Sequence, residues 1–320
     1  MTDDPFDHPG PESDPGFCTL RESEHPNSVA GRELTRRLWL LYRPFADPNF
    51  LDGLQTDFNA RFWEMYLFCA LQERGFRVSR KADGPDVVVE SKPAAIIDAI
   101  APGPGREGHP DRVPDLPCDG VARQVPNEQI ILRIRHAIEE KHRQYQEWVR
   151  KGTVKASVPF VVAVNGRSIR SWVSDGSIPY VVQAVYPFGL PYVTLDRQSG
   201  TVVGEGHTYR PSLTKSNRAP VSTDIFLNPE YASVSAVLYS RADAANPLPA
   251  FGHDFILVHN YKAENPLPRG FLGFGREYAV VEEDGALRLV PIDHNGTNPD
   301  RSGSAVDRRA RGVTGPPNPQ

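Results

Sequence analysis

Hydrophobic and polar positions between residues 57 and 164 follow first a helical period and then a strand period. Asp57 to Arg74 is apolar almost all round, and Gly75 is well placed to end a helix there. Asn127 to Arg150 predicts a second, longer helix, with Gly152 just past its end. The sequence therefore predicts two helices that enclose a set of strands.

Short apolar runs predict three strands between these helices and a fourth strand after the second helix. Turn-forming residues separate the second strand from its neighbours, at Asp83-Gly84-Pro85 and at Ser91-Lys92-Pro93. The predicted strands are Phe76 to Ser79, Asp86 to Glu90, Ala95 to Ala101 and Val158 to Val164. This order indicates an α/β fold in which three strands form an antiparallel meander and the second helix crosses over to the fourth strand.

The rest of the chain predicts one further helix, Arg32 to Leu41, and a β-rich extension over residues 165–292. We interpret residues 28–292 as a single domain, with residues 57–164 as its core; a second small domain is the alternative for the extension. The extension is predicted to contain strands at Tyr180 to Tyr186, Ser233 to Tyr239, Phe255 to Asn260 and Tyr278 to Glu282.

Both ends of the chain, residues 1–27 and 293–320, are poor in apolar residues and rich in Pro, Asp and Gly. Such segments bury too little apolar surface to offset the entropy of ordering, so we expect two disordered tails. The acidic, proline-rich start lacks the basic and apolar regions of a signal peptide, and no apolar run approaches the roughly 20 residues of a membrane span. We therefore expect a cytoplasmic protein without membrane contact.

Composition narrows the functional classes. The chain has 320 residues, of which 39% are hydrophobic, and this is ample for a globular core. Its three cysteines lie far apart, and no pair has the spacing of a zinc or redox motif. A net charge of −4 counts mildly against a general nucleic-acid binder, but the field at one cleft matters more than the total.

Asp98 is the most informative residue, because it interrupts the apolar run Ala94 to Ala101. A run of this kind predicts a buried central strand, where a carboxylate is costly unless it is paired, hydrogen-bonded or bound to a metal. Asp86 opens the preceding strand. In a hairpin centred on Lys92, Asp86 lies opposite Asp98 and on the same face, so that a divalent cation could bridge the two like charges. The alternatives are a buried Arg partner for Asp98 and a plain turn role for Asp86.

Glu64 and Lys141 are the other candidates for this site. Glu64 lies on the first helix among apolar neighbours, which is not typical of a surface carboxylate without a function. The alternative is a solvated carboxylate on the helix surface. Lys141 lies on the second helix, and Arg133 shares roughly the same face, which could line the cleft. The alternative for both cations is a solvated helix face. Lys92 is nearer in sequence, but it lies in the predicted turn and is predicted to point away from the site.

A site of hard oxygen ligands without nearby His or Cys favours Mg²⁺ or Mn²⁺ over zinc. Magnesium typically takes one or two carboxylates and completes its shell with waters and phosphate oxygens. A carboxylate pair beside a basic group therefore suits phosphodiester hydrolysis, in which the metal polarises the phosphate and helps to deprotonate water.

The helical Glu64, the Pro85-Asp86 step and an acid on the next strand together resemble the PD-(D/E)xK (restriction-endonuclease-like) nuclease superfamily. The segments Arg61-Phe62-Trp63-Glu64-Met65-Tyr66-Leu67, Gly84-Pro85-Asp86 and Ile130-Ile131-Leu132-Arg133 with Glu140-Lys141 also resemble a bacterial group placed in that superfamily. The resemblance covers about a third of the chain, residues 57–164, and implies an αβββαβ core.

The same resemblance implies metal binding by Asp86 and Asp98, with Glu64 as a further acidic ligand and catalytic residue. Two positions depart from the pattern. Asp98 stands where Glu is more frequent, and Ile100 stands where the motif has Lys. Because a migrated lysine is known in the superfamily, Lys141 is the expected catalytic lysine.

The expected function is thus Mg²⁺-dependent cleavage of nucleic acid, with DNA as the expected substrate, Arg133 as a substrate-binding residue and a homodimer as the default assembly. One alternative is a catalytically degenerate protein of the same fold that serves as a binding or interaction module. A weaker one is a small-molecule hydrolase that uses residues 178–290.

Overall fold

The computed structural model describes residues 3–115, 119–121, 123–169, 178–246, 248–283, 285–292 and 305–306. The helices in these ranges are α1 (Pro15–Glu22), α2 (Pro26–Tyr42), α3 (Phe50–Thr56), α4 (Phe58–Glu73), α5 (Asn127–Lys151) and α6 (Tyr180–Val185). The first strands are β1 (Val78–Ser79), β2 (Val87–Val89), β3 (Ala95–Ile100) and β4 (Phe160–Asn165). The later strands are β5 (Phe188–Leu195), β6 (Val202–Tyr209), β7 (Ser212–Thr214), β8 (Pro220–Ser222), β9 (Ala236–Ser240), β10 (Ile256–His259), β11 (Arg276–Glu283), β12 (Ala286–Ile292) and β13 (Ala305–Val306).

One mixed sheet of eleven strands organises the chain, in the order β1-β2-β3-β4-β9-β10-β11-β12-β13-β6-β5. The strands β1 to β3 form the expected antiparallel meander, and β4 lies parallel to β3 after the crossover through α5. β9 then pairs with β4 in parallel, so the strands that follow residue 165 continue the same sheet. The remaining strands β7 and β8 pair separately as a small hairpin.

Helices cover both faces of this sheet. Helices α1 to α4 pack on the first face against a set of buried strand residues that includes Val87 and Ile97. Helices α5 and α6 pack on the second face, where Ile96 and Val162 point. Because successive strand residues point to opposite faces, Asp98 belongs to the second face and is presented to α5. The sheet therefore separates the α4 and α5 layers, which contribute different residues to the site.

The structure corrects the expectation of a disordered N-terminus. Asp14 accepts hydrogen bonds from the backbone N–H of Gly16 and Phe17 and so caps α1. Phe6, Phe17 and Leu20 are buried in the core. The average composition of the segment does not reveal these few apolar residues. Together they bury enough surface to order the segment. Of the predicted C-terminal tail, residues 293–320, the structure describes only residues 305–306, which form β13. The rest of the tail lies outside the described residues.

A second correction concerns Tyr180 to Tyr186, which was predicted as a strand but forms α6 instead. Its Tyr and Val residues have strand propensity, but periodicity cannot distinguish a short apolar run in a strand from one in a buried helix. All of its residues except Gln183 are buried, largely against α5. Six further strands were not predicted from the sequence, namely β5, β6, β7, β8, β12 and β13.

No helix in the described ranges is long and apolar enough to cross a membrane.

Candidate active site

The β2–β3 hairpin has the register that the sequence predicts. Val87 pairs with Ile97 and Val88 with Ile96, so continuing the register one residue places Asp86 opposite Asp98. The Oδ2 atom of Asp86 accepts a hydrogen bond of 2.8 Å from the backbone N–H of Ala99. This contact fixes the Asp86 carboxylate at the side of β3, beside the carboxylate of Asp98.

Lys141 reaches this carboxylate pair from α5. Its Nζ lies 2.8 Å from Oδ2 of Asp98 and also donates to Oε1 of Gln144 at 3.2 Å. The side chain of Lys141 is 13% exposed, whereas that of Asp98 is 2% exposed. Ile100, where the resemblance would place a lysine, packs against the apolar layer around α5. The structure therefore brings a lysine to the acids from a different element.

The charge of Asp98 affects the protonation of Asp86. Burial raises the pKa of Asp86 to about 7. The negative charge of Asp98 and a hydrogen bond between the two side chains contribute to this rise. Lys141 and the Ala99 N–H act in the opposite direction, because both stabilise the charged carboxylate. Asp86 keeps partial solvent exposure while Asp98 is buried. Asp86 therefore retains a proton close to neutral pH when no cation is bound beside it.

Glu64 lies in a separate ion-pair network on the α4 side of the sheet. The Tyr42 hydroxyl donates to Oε1 of Glu64 at 2.5 Å, and Arg61 Nη1 donates to Oε2 at 2.8 Å. Arg80 Nε lies 3.2 Å from the same Oε1, and Asp47 forms ion pairs with both guanidinium groups. Both oxygens of Glu64 thus have cationic or hydroxyl partners already.

The charge of Glu64 nevertheless acts on the acidic pair. Burial, followed by the charge of Asp86, raises the pKa of Glu64, while Tyr42, Arg61 and Arg80 lower it. Glu64 is therefore close enough to interact electrostatically with Asp86. Within the described ranges, no group of three or more His, Cys, Asp or Glu side chains is arranged to hold a metal ion. The structure thus brings Asp86 and Asp98 together but does not join Glu64 to them in the expected set of three acids.

Arg133 does not contact the acidic pair. Its Nε donates to the carbonyl oxygen of Gly103 at 2.8 Å, in the loop that follows β3. It lines a separate pocket with Arg106 and Lys215. Eight residues along α5 advance about 12 Å at 1.5 Å per residue, so Arg133 and Lys141 lie at separate positions along the helix.

Sequence reasoning missed Tyr42, Arg61 and Arg80. Arg61 precedes Glu64 by one helical turn, and that spacing could have indicated the ion pair. Tyr42 ends α2 and Arg80 directly follows β1, and nothing in the local sequence indicates that either meets Glu64. Only the packing of α2 against α4 brings Tyr42 to the network.

No protein-family model matches the chain, and no curated protein and no solved structure matches it either. The chain has a mixed α/β fold with a large central sheet. The roles of the site residues are inferred from the geometry described above.

The raised pKa of Asp86 predicts that Asp86→Asn stabilises the protein in alkaline solution. From its ordinary value of 3.8 to about 7, the folded protein binds a proton that the unfolded chain releases, so stability falls as pH rises through this window. An asparagine removes the repulsion, and its amide oxygen can still accept from Ala99. A shift of about three pKa units corresponds to about 4 kcal/mol at about 1.4 kcal/mol per unit. Solvent screening at the partly exposed Asp86 reduces this value, so we expect thermal unfolding at pH 8 to show a gain of about 1–2 kcal/mol.

The matched control for this prediction is Asp83→Asn, in the exposed turn before β2. It should leave the melting temperature unchanged at both pH 4 and pH 8. A lower melting temperature for Asp86→Asn at pH 8, or an equal gain at the two pH values, would contradict the assignment of the repulsion to Asp86 and Asp98.

Proposed function

We propose that this protein is a divalent-metal-dependent phosphodiesterase that cleaves nucleic acid, with DNA as the expected substrate. The observation that carries the proposal is the 2.8 Å approach of Lys141 Nζ to Asp98, the acid that faces Asp86 across the β2–β3 hairpin. Two opposed carboxylates beside one ammonium group combine a hard-cation site with a positive charge for phosphate.

The residues present fit Mg²⁺ or Mn²⁺. Both candidate ligands are carboxylates, their mutual repulsion would be relieved by a cation, and Asp86 is partly exposed to solvent. A bound metal would supply a polarised phosphate and a more acidic water. Lys141 would stabilise the negative charge that develops on the phosphate and hold a water near Asp98. The resemblance to the PD-(D/E)xK superfamily implies the same roles for these residues.

Glu64 and Arg80 would act at the edge of this site. Arg80 is held between Glu64 and Asp47, and its side chain is 14% exposed. Burial lowers the pKa of Arg80, but Tyr42, Glu64, Asp47 and Asp86 together raise it above its ordinary value. A permanently charged guanidinium close to Asp86 would help to hold a phosphate, and Glu64 would position that guanidinium.

The direct test is incubation of the full chain with supercoiled plasmid, linear duplex DNA, single-stranded DNA and RNA. Each substrate is offered with Mg²⁺, with Mn²⁺ or with EDTA. The proposal predicts metal-dependent cleavage of at least one DNA substrate and none with EDTA. The absence of cleavage of every substrate with either metal would contradict it, and cleavage that persists in EDTA would contradict the role of the metal.

A second candidate function is a non-catalytic binding module of the same fold. Two observations favour it. Both oxygens of Glu64 have partners in Tyr42, Arg61 and Arg80. Lys141 forms an ion pair with Asp98, an acid that would have to be free in order to bind a metal. Nucleic-acid binding without cleavage, at equal affinity with and without metal, would support this candidate over the first.

A further inference from the structure

A pocket of about 300 Å³ lies away from the acidic pair, between the loop after β3, the middle of α5 and the β7–β8 hairpin. Its ionisable wall residues are mostly basic: Arg106, His109, Arg112, Arg133, His136 and Lys215. Asp111 is the acid among them, and its Oδ1 accepts from the backbone N–H of Ser216 at 2.8 Å. That hydrogen bond ties the loop to the hairpin, so the acid serves to build the pocket wall.

The positive charges of this pocket are poorly neutralised. Arg112 forms an ion pair with Asp115 at 3.0 Å. In the part of the chain that the structure describes, Arg106, Arg133 and Lys215 form no ion pair with a carboxylate. The whole chain has a net charge of −4, so this concentration of positive charge is local and opposes the overall balance. A concave basic site of this kind attracts anions more strongly than the same charges spread over a flat surface.

Arg133 is the most informative of these cations. It is half-buried, its Nε is fixed by Gly103, and its two terminal nitrogens remain available as donors. Burial lowers the pKa of Arg133, and the more distant charge of Glu140 only partly offsets this effect. A guanidinium that has lost water without gaining a carboxylate is stabilised by a bound anion, and its planar donors suit phosphate oxygens.

We propose that this pocket binds a backbone phosphate of the same nucleic-acid strand whose scissile phosphodiester lies at Asp86 and Asp98. The inference rests on the proposed function for the second contact but not for the pocket itself. Arg133 and Lys141 are about 12 Å apart along α5. Along the axis of duplex DNA, one strand advances about 3.4 Å per phosphate, so the two contacts would be separated by about three to four nucleotides on a duplex and by fewer on an extended single strand.

The first test measures binding without cleavage. A fluorescent single-stranded DNA 12-mer is titrated with the full chain in EDTA, and anisotropy is followed over a range of salt concentrations. The Arg106→Gln/Lys215→Gln double variant changes two exposed side chains, so its folding is expected to be intact, and Arg133→Gln changes the half-buried one. Arg150→Gln, an exposed arginine near the end of the same helix, is the matched control.

We expect at least tenfold weaker binding for the double variant and for Arg133→Gln, with unchanged binding for Arg150→Gln. The logarithmic salt dependence should fall by about 0.7 for each phosphate contact that is lost. Affinity equal to wild type in both pocket variants would overturn the proposal. The proposal would also be overturned if inorganic phosphate or a nucleoside monophosphate bound in the pocket and the 12-mer did not displace it.

The second test uses cleavage with Mn²⁺ and separates this inference from the proposed function. The double variant should raise KM for the 12-mer and leave kcat unchanged, while a dinucleotide substrate, too short to reach the pocket, should be cleaved equally by wild type and variant. Cleavage with unchanged KM for the 12-mer would overturn the pocket alone. Weakened metal-free binding in the variants, without cleavage by wild type, would retain the pocket and refute the proposed function.

Discussion

Asp98→Asn is expected to lower metal-dependent DNA cleavage by more than about 100-fold. The loss of an outer partner of a metal ligand typically costs 10- to 100-fold, and Asp98 is proposed as a direct ligand, so its loss should cost more. The substitution retains the side-chain shape and removes the repulsion with Asp86, so the buried strand β3 should remain folded. Initial rates on linear duplex DNA at saturating Mn²⁺ measure the effect.

Asp83→Asn serves again as the control, because it makes the same chemical change in the exposed turn before Asp86. It should cleave at the wild-type rate. Undiminished cleavage by Asp98→Asn would refute the site assignment. A loss of cleavage accompanied by a large drop in melting temperature would be assessed with Asp98→Glu, which retains a carboxylate and should recover part of the rate if the carboxylate acts on the metal.

Lys141→Met is expected to reduce cleavage by about 10²- to 10⁴-fold while metal binding is retained, since positioned proton-transfer and charge-stabilising groups contribute on this scale. The methionine retains an unbranched stem of similar length but lacks the ammonium group. The ammonium group also lowers the pKa of Asp86. Its removal should therefore raise that pKa further above 7, so metal binding and any residual cleavage should require a more alkaline solution.

Lys151→Met is the matched control for this second prediction. Lys151 ends the same helix and forms an exposed ion pair with Glu147 at 3.4 Å, so its loss should change neither the rate nor its pH dependence. Wild-type cleavage by Lys141→Met would show that Lys141 is a structural partner of Asp98 only. A rate loss without any alkaline displacement of the metal-binding curve would contradict its electrostatic action on Asp86.

The opposed positions of Asp86 and Asp98 could be predicted because two sequence features determine them. The turn around Lys92 centres the hairpin, and the even spacing of the two acids places them on one face of the sheet. Lys141 could be named as a candidate because α5 has strong boundary signals and the motif position on β3 is occupied by Ile100. Its 2.8 Å contact with Asp98 could not be predicted, since it depends on how α5 packs across β3 and β4.

Other parts of the site depend on contacts that local sequence does not indicate. Glu64 was expected beside the other two acids, but α4 covers the opposite face of the sheet, and Tyr42 and Arg80 arrive from other elements to engage its oxygens. Arg133 was expected in the same cleft as Lys141, and the loop at Gly103 holds it in the neighbouring pocket instead. In each case tertiary packing determined the partner, although the element itself was predicted.

Calorimetric titration of the full chain with Mn²⁺ tests the central claim most directly, because it asks whether Asp86 and Asp98 hold a divalent cation. Wild type is predicted to bind at pH 8, to bind more weakly at pH 6, and to release the proton retained by Asp86, whose pKa is about 7. Asp86→Asn is predicted to abolish binding, and Asp83→Asn to preserve it. No binding by wild type, or equal binding by Asp86→Asn, would contradict the account.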